Sequence, residues 1–382
     1  MLKGVIRAAG GLAVLAGAML MAGAARQPGD VIKIGHYGSM TGKEATFGQS
    51  TDNGIKLAVK EINDAGGING RMLEVITYDT KGESKEAGNA VTRLITSDKV
   101  AAVLGEVASS LSLAGGAVCQ ERGVPMVTPS STNPGVTRGR NMVFRVCFID
   151  PFQGFAVAKF TRENLKLDKA AVLYDQAQAY SKGLRDEYKK HFEAMGGKIV
   201  ADQAYSSGDQ DFSAQLSTIK ASGAQAIFVP GYYTEAGNIA LQARKLGITA
   251  PLLGGDGWDS EQLAAIGKDA IEGCYYSNHY AADQPSEQVQ NFVTKYREAY
   301  SGQTPDGLAA LGYDAAKVLA EAMKRAPSLS GKDLQKALAA TQDFHGVTGV
   351  ISMDKNRDAK KAAVIVQMRG GKPVYVATVN PE

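Results

Sequence analysis

Short apolar runs alternate with helix-length segments along almost the whole chain, and this alternation restricts the fold more than any other feature of the sequence. Val31 to Ile34 reads as a strand, and after the polar turn Gly38 to Gly48 a helix runs from about Gln49 to Ala65, stopped by Gly66 and Gly67. Strand Met72 to Tyr78, helix Lys85 to Thr96, strand Val100 to Leu104, helix Ser109 to Arg122 and strand Pro125 to Thr128 follow. The helix from Ser109 is expected to bury Leu113, Ala117 and Val118 and to end at Gly123. Such a β-α succession builds a parallel, doubly wound sheet.

Near Asp150 the succession starts again, with helix Pro151 to Leu165, strand Ala170 to Tyr174, helix Ser181 to Met195, strand Lys198 to Tyr205 and helix Asp211 to Ala221. Strand Ala226 to Pro230, helix Thr234 to Leu246, strand Pro251 to Gly254 and strand Gly273 to Ser277 complete it. Helices Glu287 to Tyr300, Leu308 to Arg325 and Lys332 to Ala340 come after this second unit looks finished. They are expected to cross back to the first unit, and strands near Gly349–Met353, Ala362–Gln367 and Pro373–Thr378 to close the chain. The fold class expected is therefore α/β: two doubly wound parallel-sheet lobes joined by a multi-crossing hinge, with a ligand cleft between them. Lobe 1 is assigned residues 26–149 plus about 279–355, and lobe 2 residues 150–278 plus about 356–382.

Ligands of open α/β sheets bind at the carboxyl ends of strands. Two consecutive strands here end in small hydroxyl residues: Ser109, Ser110 and Ser112 after the first, and Ser130, Ser131 and Thr132 after the second. A helix beginning at Ser109 offers hydroxyls and unpaired N–H groups carrying roughly half a positive charge, a seat for a carboxylate. Ser109 as a plain cap and Thr132 as a plain turn residue are the structural alternatives. In the second unit, Tyr232 follows one strand end, and Asp256 lies between Gly255 and Gly257 at another. Glycines on both sides let the backbone approach closely and leave the carboxylate exposed to accept from an ammonium group. A carboxylate held by one unit and an ammonium by the other imply an α-amino acid.

The first 25 residues have a different character: a basic start at Lys3 and Arg7, the apolar run Gly10 to Met21, and Ala22-Gly23-Ala24. They read as a signal peptide cleaved near Ala24 or Ala25, too short to span a bilayer, which needs about 20 apolar residues. With 42 basic against 39 acidic residues and no basic cluster, nucleic acid is not an expected partner. Cys119, Cys147 and Cys274 lack C-x-x-C or metal-ligand spacing and read as small buried residues, although which of them could pair is open. No catalytic residue, metal or cofactor is expected: no G-x-S-x-G elbow occurs, and His36, His191, His279 and His345 have no base or metal spacing. His36 alone falls near the cleft, in a surface or cap role.

From Val31 nearly to its end the chain resembles the periplasmic branched-chain amino-acid-binding proteins of ATP-driven importers, the leucine/isoleucine/valine-binding family. The likeness is carried by DNGIKLAVKEINDAGGINGRMLEVITYD (52–79), TPSSTNP (128–134), FQGFAVAKF (152–160), YDQAQAYSKG (174–183), PGYYTEAGNIALQARKLGI (230–248) and GGDGW (254–258). The resemblance implies that Ser109 and Thr132 hold the ligand carboxylate. It assigns the ammonium to the Ser130 carbonyl, Asp256 and Tyr232, cleft closure to Tyr180 and a pocket wall to Phe47. Two departures are visible: the acid is Asp256 where the family often has Glu, and an aromatic residue expected near Ala310 is missing, which enlarges the pocket. It further implies a monomeric periplasmic protein whose partners are an amino acid and the permease of an ABC importer. Presentation to a separate sensor, or binding of a different small amide or carboxylate, stands as the alternative. No helix-turn-helix pattern precedes Val31 and no membrane-length segment precedes Glu382, so a sensing role would require a separate receptor.

Overall fold

Two parallel sheets arise from the two runs of alternating elements. The computed structural model describes Met1 and residues 31–381; the expected signal peptide lies outside the described residues. β1 (Val31–Gly38), β2 (Met72–Asp79), β3 (Val103–Leu104), β4 (Met126–Thr128) and β5 (Val143–Arg145) form the first sheet, in the order β2-β1-β3-β4-β5 and parallel throughout. Helices α1 (Ala45–Asp64), α2 (Ser84–Thr96) and α3 (Ser109–Arg122) connect successive strands. β1 outruns the expected four residues, α1 starts before Gln49, and β5 was not anticipated because three residues carry too little periodicity.

α3 ends as expected at Gly123, which adopts φ 67°, a left-handed conformation that costs glycine nothing. Its buried face differs from the one expected. Leu111, Gly115, Gly116 and Cys119 face inward, while Ala117 is exposed and Leu113 and Val118 are only partly covered. Apolar residues surround this helix, so periodicity could not choose a side; contact with Tyr37 did, since a Cβ on Gly115 would lie 2.4 Å from its phenol oxygen.

The second run builds α4 (Asp150–Lys159), β6 (Lys169–Asp175), α5 (Ala179–Ala194), β7 (Lys198–Tyr205), α6 (Ser213–Ala221), β8 (Ala226–Val229), α7 (Tyr233–Lys245), β9 (Leu252–Gly254), α8 (Glu261–Gly267) and β10 (Tyr275–Asn278). α9 (Glu287–Ala299), α10 (Gly307–Arg325), α11 (Gly331–Ala339), the hairpin β11 (Phe344–Gly346) and β12 (Gly349–Ile351), then β13 (Ala363–Arg369) and β14 (Lys372–Val379) complete the chain. The second sheet has the order β14-β13-β10-β9-β8-β6-β7; β6 to β10 are parallel, and β13 and β14 add an antiparallel edge.

Asp306 caps α10 by accepting from the Ala309 N–H at 2.8 Å. α10 packs on α1 with almost no space between backbones: a Cβ on Gly54 would sit 1.9 Å from the Ala309 carbonyl oxygen, and one on Gly312 2.5 Å from that of Thr51. Tyr313 and Lys317 on α10 bond the Glu61 carboxylate of α1 at 2.7 and 2.9 Å. The chain thus passes between the two sheets' layers at residues 146–149, 279–286 and 352–362. All three cysteines are buried and unpaired.

Candidate functional site

The carboxyl ends of β3 and β4 face those of β8 and β9 across a narrow cavity of about 10 Å³. Phe47, Val107, Ser109, Ser130, Tyr180, Tyr232, Asp256, Gly257 and Leu308 line it. That is room for about one water molecule, so a larger solute is admitted only when the walls move apart. Six of the seven expected ligand-binding residues therefore meet around one cavity. Thr132, the seventh, is buried but not on its wall; its hydroxyl has no partner among the described residues. Where an aromatic was expected near Ala310, Leu308 supplies the wall.

On the first side, residues at and after the end of β4 have separate tasks. The Thr128 and Ser131 hydroxyls donate to the Glu106 carbonyl at 2.6 and 3.0 Å, which ties the turn to the loop after β3. Arg145, fully buried, donates to the carbonyls of Ser131 and Asn133 and reaches Asp358 through Nε at 2.6 Å. So clamped, the turn holds the Ser130 hydroxyl at the cavity with no partner among the described residues. Ser109 is the first residue of α3, but its side chain does not cap the helix. Its oxygen accepts from the Asn133 N–H at 3.3 Å, so the hydroxyl proton points elsewhere. Of the first N–H groups of α3, those of Leu111 and Ser112 are taken by the Ala108 carbonyl at 3.0 Å, and those of Ser109 and Ser110 precede the first bond at the helix start.

The second side carries a charge. Asp256 Oδ1 accepts from Gln153 Nε2 at 2.8 Å and from the Tyr180 hydroxyl at 2.9 Å, and Oδ2 lies 2.9 Å from His279 Nε2. Close approach requires the flanking glycines, as expected: a Cβ on Gly255 would be 2.3 Å from the Tyr180 oxygen, and one on Gly257 2.7 Å from the Gly231 carbonyl. Tyr180 also accepts from the Gly257 N–H at 3.2 Å and stacks on Tyr232 at 5.4 Å with rings 6° apart, while Phe47 meets Tyr232 edge-on. Burial pushes both phenols well above their ordinary range, which keeps them protonated donors. The Tyr232 hydroxyl has no partner among the described residues.

Neither Gln153 nor His279 was assigned a role from sequence. Gln153 lies in the FQGF segment that carries the resemblance, which was the available signal; a histidine closing a strand gives none. His36, expected at the cleft in a surface or cap role, is instead buried and bonded to Asp52 at 3.0 Å. Asp150 opens α4 with both carboxyl oxygens lacking a hydrogen-bond partner; burial pushes its carboxyl up to about 8, with the Thr132 hydroxyl opposing.

Contacts also cross the cleft directly. Ser110 donates to Gln178 at 3.1 Å and accepts from the Ala179 N–H at 3.2 Å; Asn133 donates to the Ala179 carbonyl at 2.9 Å. At the other lip, Thr46 meets Ser260 at 2.9 Å and Lys43 approaches Glu235 at 3.4 Å. Facing loops that share this many bonds are in a closed arrangement. Among the described residues, no helix is long and apolar enough to cross a membrane, and no group of three or more His, Cys, Asp or Glu side chains could hold a metal ion.

Comparison with known proteins agrees with this architecture. A family profile described as periplasmic binding protein matches residues 31–373. The chain is 34% identical over 356 residues to a leucine-, isoleucine-, valine-, threonine- and alanine-binding protein of Pseudomonas aeruginosa, covering 91% of this chain and 93% of that one. Among solved structures, a leucine binding protein LivK from Thermotoga maritima superposes with a TM-score of 0.88 at 41% identity, covering 92% of this chain and 99% of that one. The substrate binding protein LivJ of Streptococcus pneumoniae, crystallised with isoleucine, gives 0.87 at 36% identity and covers 92% of this chain and 100% of that one. The family resemblance drawn from the sequence motifs is borne out by these matches.

Proposed function

Since this chain belongs to the periplasmic binding protein family, we propose that it is the solute-binding protein of an ATP-driven importer, taking an α-amino acid with a branched-chain or other apolar side chain into the cavity and delivering it to a membrane permease. One observation carries this reading: a single cavity has a carboxylate on one wall and hydroxyl groups beside a helix start on the other. A zwitterion matches both ends at once. Burying its two charges would be costly unless each found hydrogen bonds, and these walls provide them.

In this reading Ser109, Ser130 and the α3 N–H groups take the ligand carboxylate, with Thr132 behind them, while Asp256, the Ser130 carbonyl and Tyr232 take the ammonium. Phe47, Val107 and Leu308 enclose the apolar side chain, and Tyr180 closes the aromatic wall. The lobes are residues 26–149 with about 279–355, and 150–278 with about 356–382. The protein acts as a monomer in the periplasm after cleavage near Ala24 or Ala25, and it releases its ligand unchanged rather than catalysing a reaction.

Thermal-shift measurement of the purified protein tests the ligand class. L-Leucine, L-isoleucine or L-valine at about a hundredfold excess over Kd should stabilise the native state by about 2.7 kcal/mol. The des-amino acid analogue of leucine and its decarboxylated amine should each shift melting far less. An equal shift with either analogue would remove the two-ended grip.

A further inference from the structure

His279 brings an imidazole against the ligand-facing carboxylate of Asp256. It follows β10 at the second passage between the layers, its side chain fully buried, its ring stacked on Phe148 of the first passage at 3.7 Å and 23°. Nε2 lies 2.9 Å from Asp256 Oδ2, while Nδ1 has no partner among the described residues. A carboxylate only accepts, so Nε2 carries the proton and Nδ1 is bare, which agrees with the pairing observed.

We propose that His279 is a positioning residue for amino-acid binding: as a neutral imidazole it donates to Asp256 Oδ2, turning the carboxylate's remaining acceptor position toward the cavity, and its protonation on acidification releases the ligand. This rests on the reading of Asp256 as the ammonium site. A carboxylate offers about four lone-pair positions. Gln153 and Tyr180 fill both on Oδ1 and His279 fills one on Oδ2, so the ammonium is directed to Oδ2. All three donors are neutral in this state, and Asp256 keeps a charge that only the ligand compensates. An imidazolium at the same place would compensate it first and set a second cation beside the ammonium.

The surroundings favour the neutral form. Burial pushes His279 below its ordinary value; Asp256 opposes this, and the buried Lys361 ammonium adds to it. Other buried carboxyls near the cleft titrate as well: burial raises Asp259, which also feels Asp256, and raises Asp306 to about 7, so comparison with a non-titrating variant at position 279 is what assigns a pH effect to His279. The Asp150 carboxyl and the Lys361 ammonium are both displaced by burial to about 8, the Cys147 thiol is pushed up to about 12 and the Tyr180 phenol higher than usual. The sign follows: ligand binding favours neutral His279, so affinity is complete above its titration and falls as pH falls through it, with a proton released on binding in that range.

Calorimetry with L-leucine from about pH 7.5 to about pH 5 tests this on the wild type, His279→Gln and His279→Leu. Wild-type Kd should rise about tenfold or more across the range, with buffer-dependent heats reporting proton release. His279→Gln, which keeps an N–H donor that does not titrate, should bind within about threefold of wild type at neutral pH and show a flat profile. His279→Leu should lose about tenfold at neutral pH. Identical pH profiles for wild type and His279→Gln, or wild-type binding by His279→Leu, overturn the proposal. Nitrogen NMR of the imidazole in ligand-free protein decides independently of ligand or variant folding: an Nε2–H tautomer supports it and an Nδ1–H tautomer overturns it. Failure of the wild type to bind any protein amino acid would instead defeat the ligand reading, with the tautomer still deciding the role of His279.

Discussion

Ser109 and Ser130 on one wall of the cavity are neutral hydroxyls held by neighbouring stretches of chain, whereas Asp256 on the other is a carboxylate held by side chains from α4, α5 and the end of β10. A neutral group can be presented by a turn and a helix start alone. A buried charge requires donors from several directions, and they have to be gathered from distant parts of the fold. Affinity should therefore be concentrated on the charged wall, and shape selection spread over the neutral one.

The sharpest test is Asp256→Ala. Removing the charged partner of a buried ammonium should weaken leucine binding by about a hundredfold to a thousandfold, roughly 3–4 kcal/mol, in calorimetry near neutral pH. A loss below tenfold would mean that the walls share the charge, and the contrast would collapse.

Asp150 sharpens the contrast within the charged side. It is as buried as Asp256, yet three groups bond Asp256 and none completes a hydrogen bond to Asp150. With its carboxyl raised to about 8 by burial, the folded protein holds a proton there that the unfolded chain loses near pH 4. Stability is thus lost as pH rises from the unfolded value through about 8. Asp150→Asn stays neutral, so its melting temperature relative to wild type should climb over that window, reaching a gain of about 5 °C above it. A difference that is flat with pH would place a donor at Asp150 that the structure does not show.

These two aspartates also mark how far the sequence can be read. Strand ends were legible from the β-α alternation, and with them the hydroxyl clusters at Ser109 and Ser130 and the glycine-flanked Asp256, because each motif is local. The donors to Asp256 were not: Gln153 is 103 residues away and His279 is 23, and no spacing rule links a helix glutamine, a strand-end histidine and a turn aspartate. The buried side of α3 failed for a related reason, since Gly115 faces inward only because Tyr37 arrives from β1. Thr132 shows the limit at single-residue scale. Its place in the motif was evident, but the clamped turn after β4 is not an extended strand, and it puts Ser130 on the cavity and leaves Thr132 off its wall.

On the neutral wall, Ser109→Ala should cost about tenfold in leucine affinity, the worth of one hydrogen bond to a charged group, and leave the ligand-free melting temperature nearly unchanged. A loss as large as that of Asp256→Ala would make the hydroxyl an equal partner in holding charge and erase the distinction between the walls.

The smallest effect is expected where neither wall touches the ligand. Ser110 is next to Ser109, but its hydroxyl crosses the cleft, donating to Gln178 at 3.1 Å and accepting from the Ala179 N–H at 3.2 Å. Both bonds exist only when the lobes are together, so they bias closure rather than grip the solute. Partly exposed bonds of this kind contribute about 0.5–1 kcal/mol, and the apparent Kd scales with the fraction of protein able to close. Ser110→Ala should therefore raise Kd about threefold through faster dissociation, with the ligand-free melting temperature unaltered. A loss matching that of Ser109→Ala would move Ser110 from the closing contact into the binding wall, and an unchanged dissociation rate would show that these bonds do not hold the lobes together.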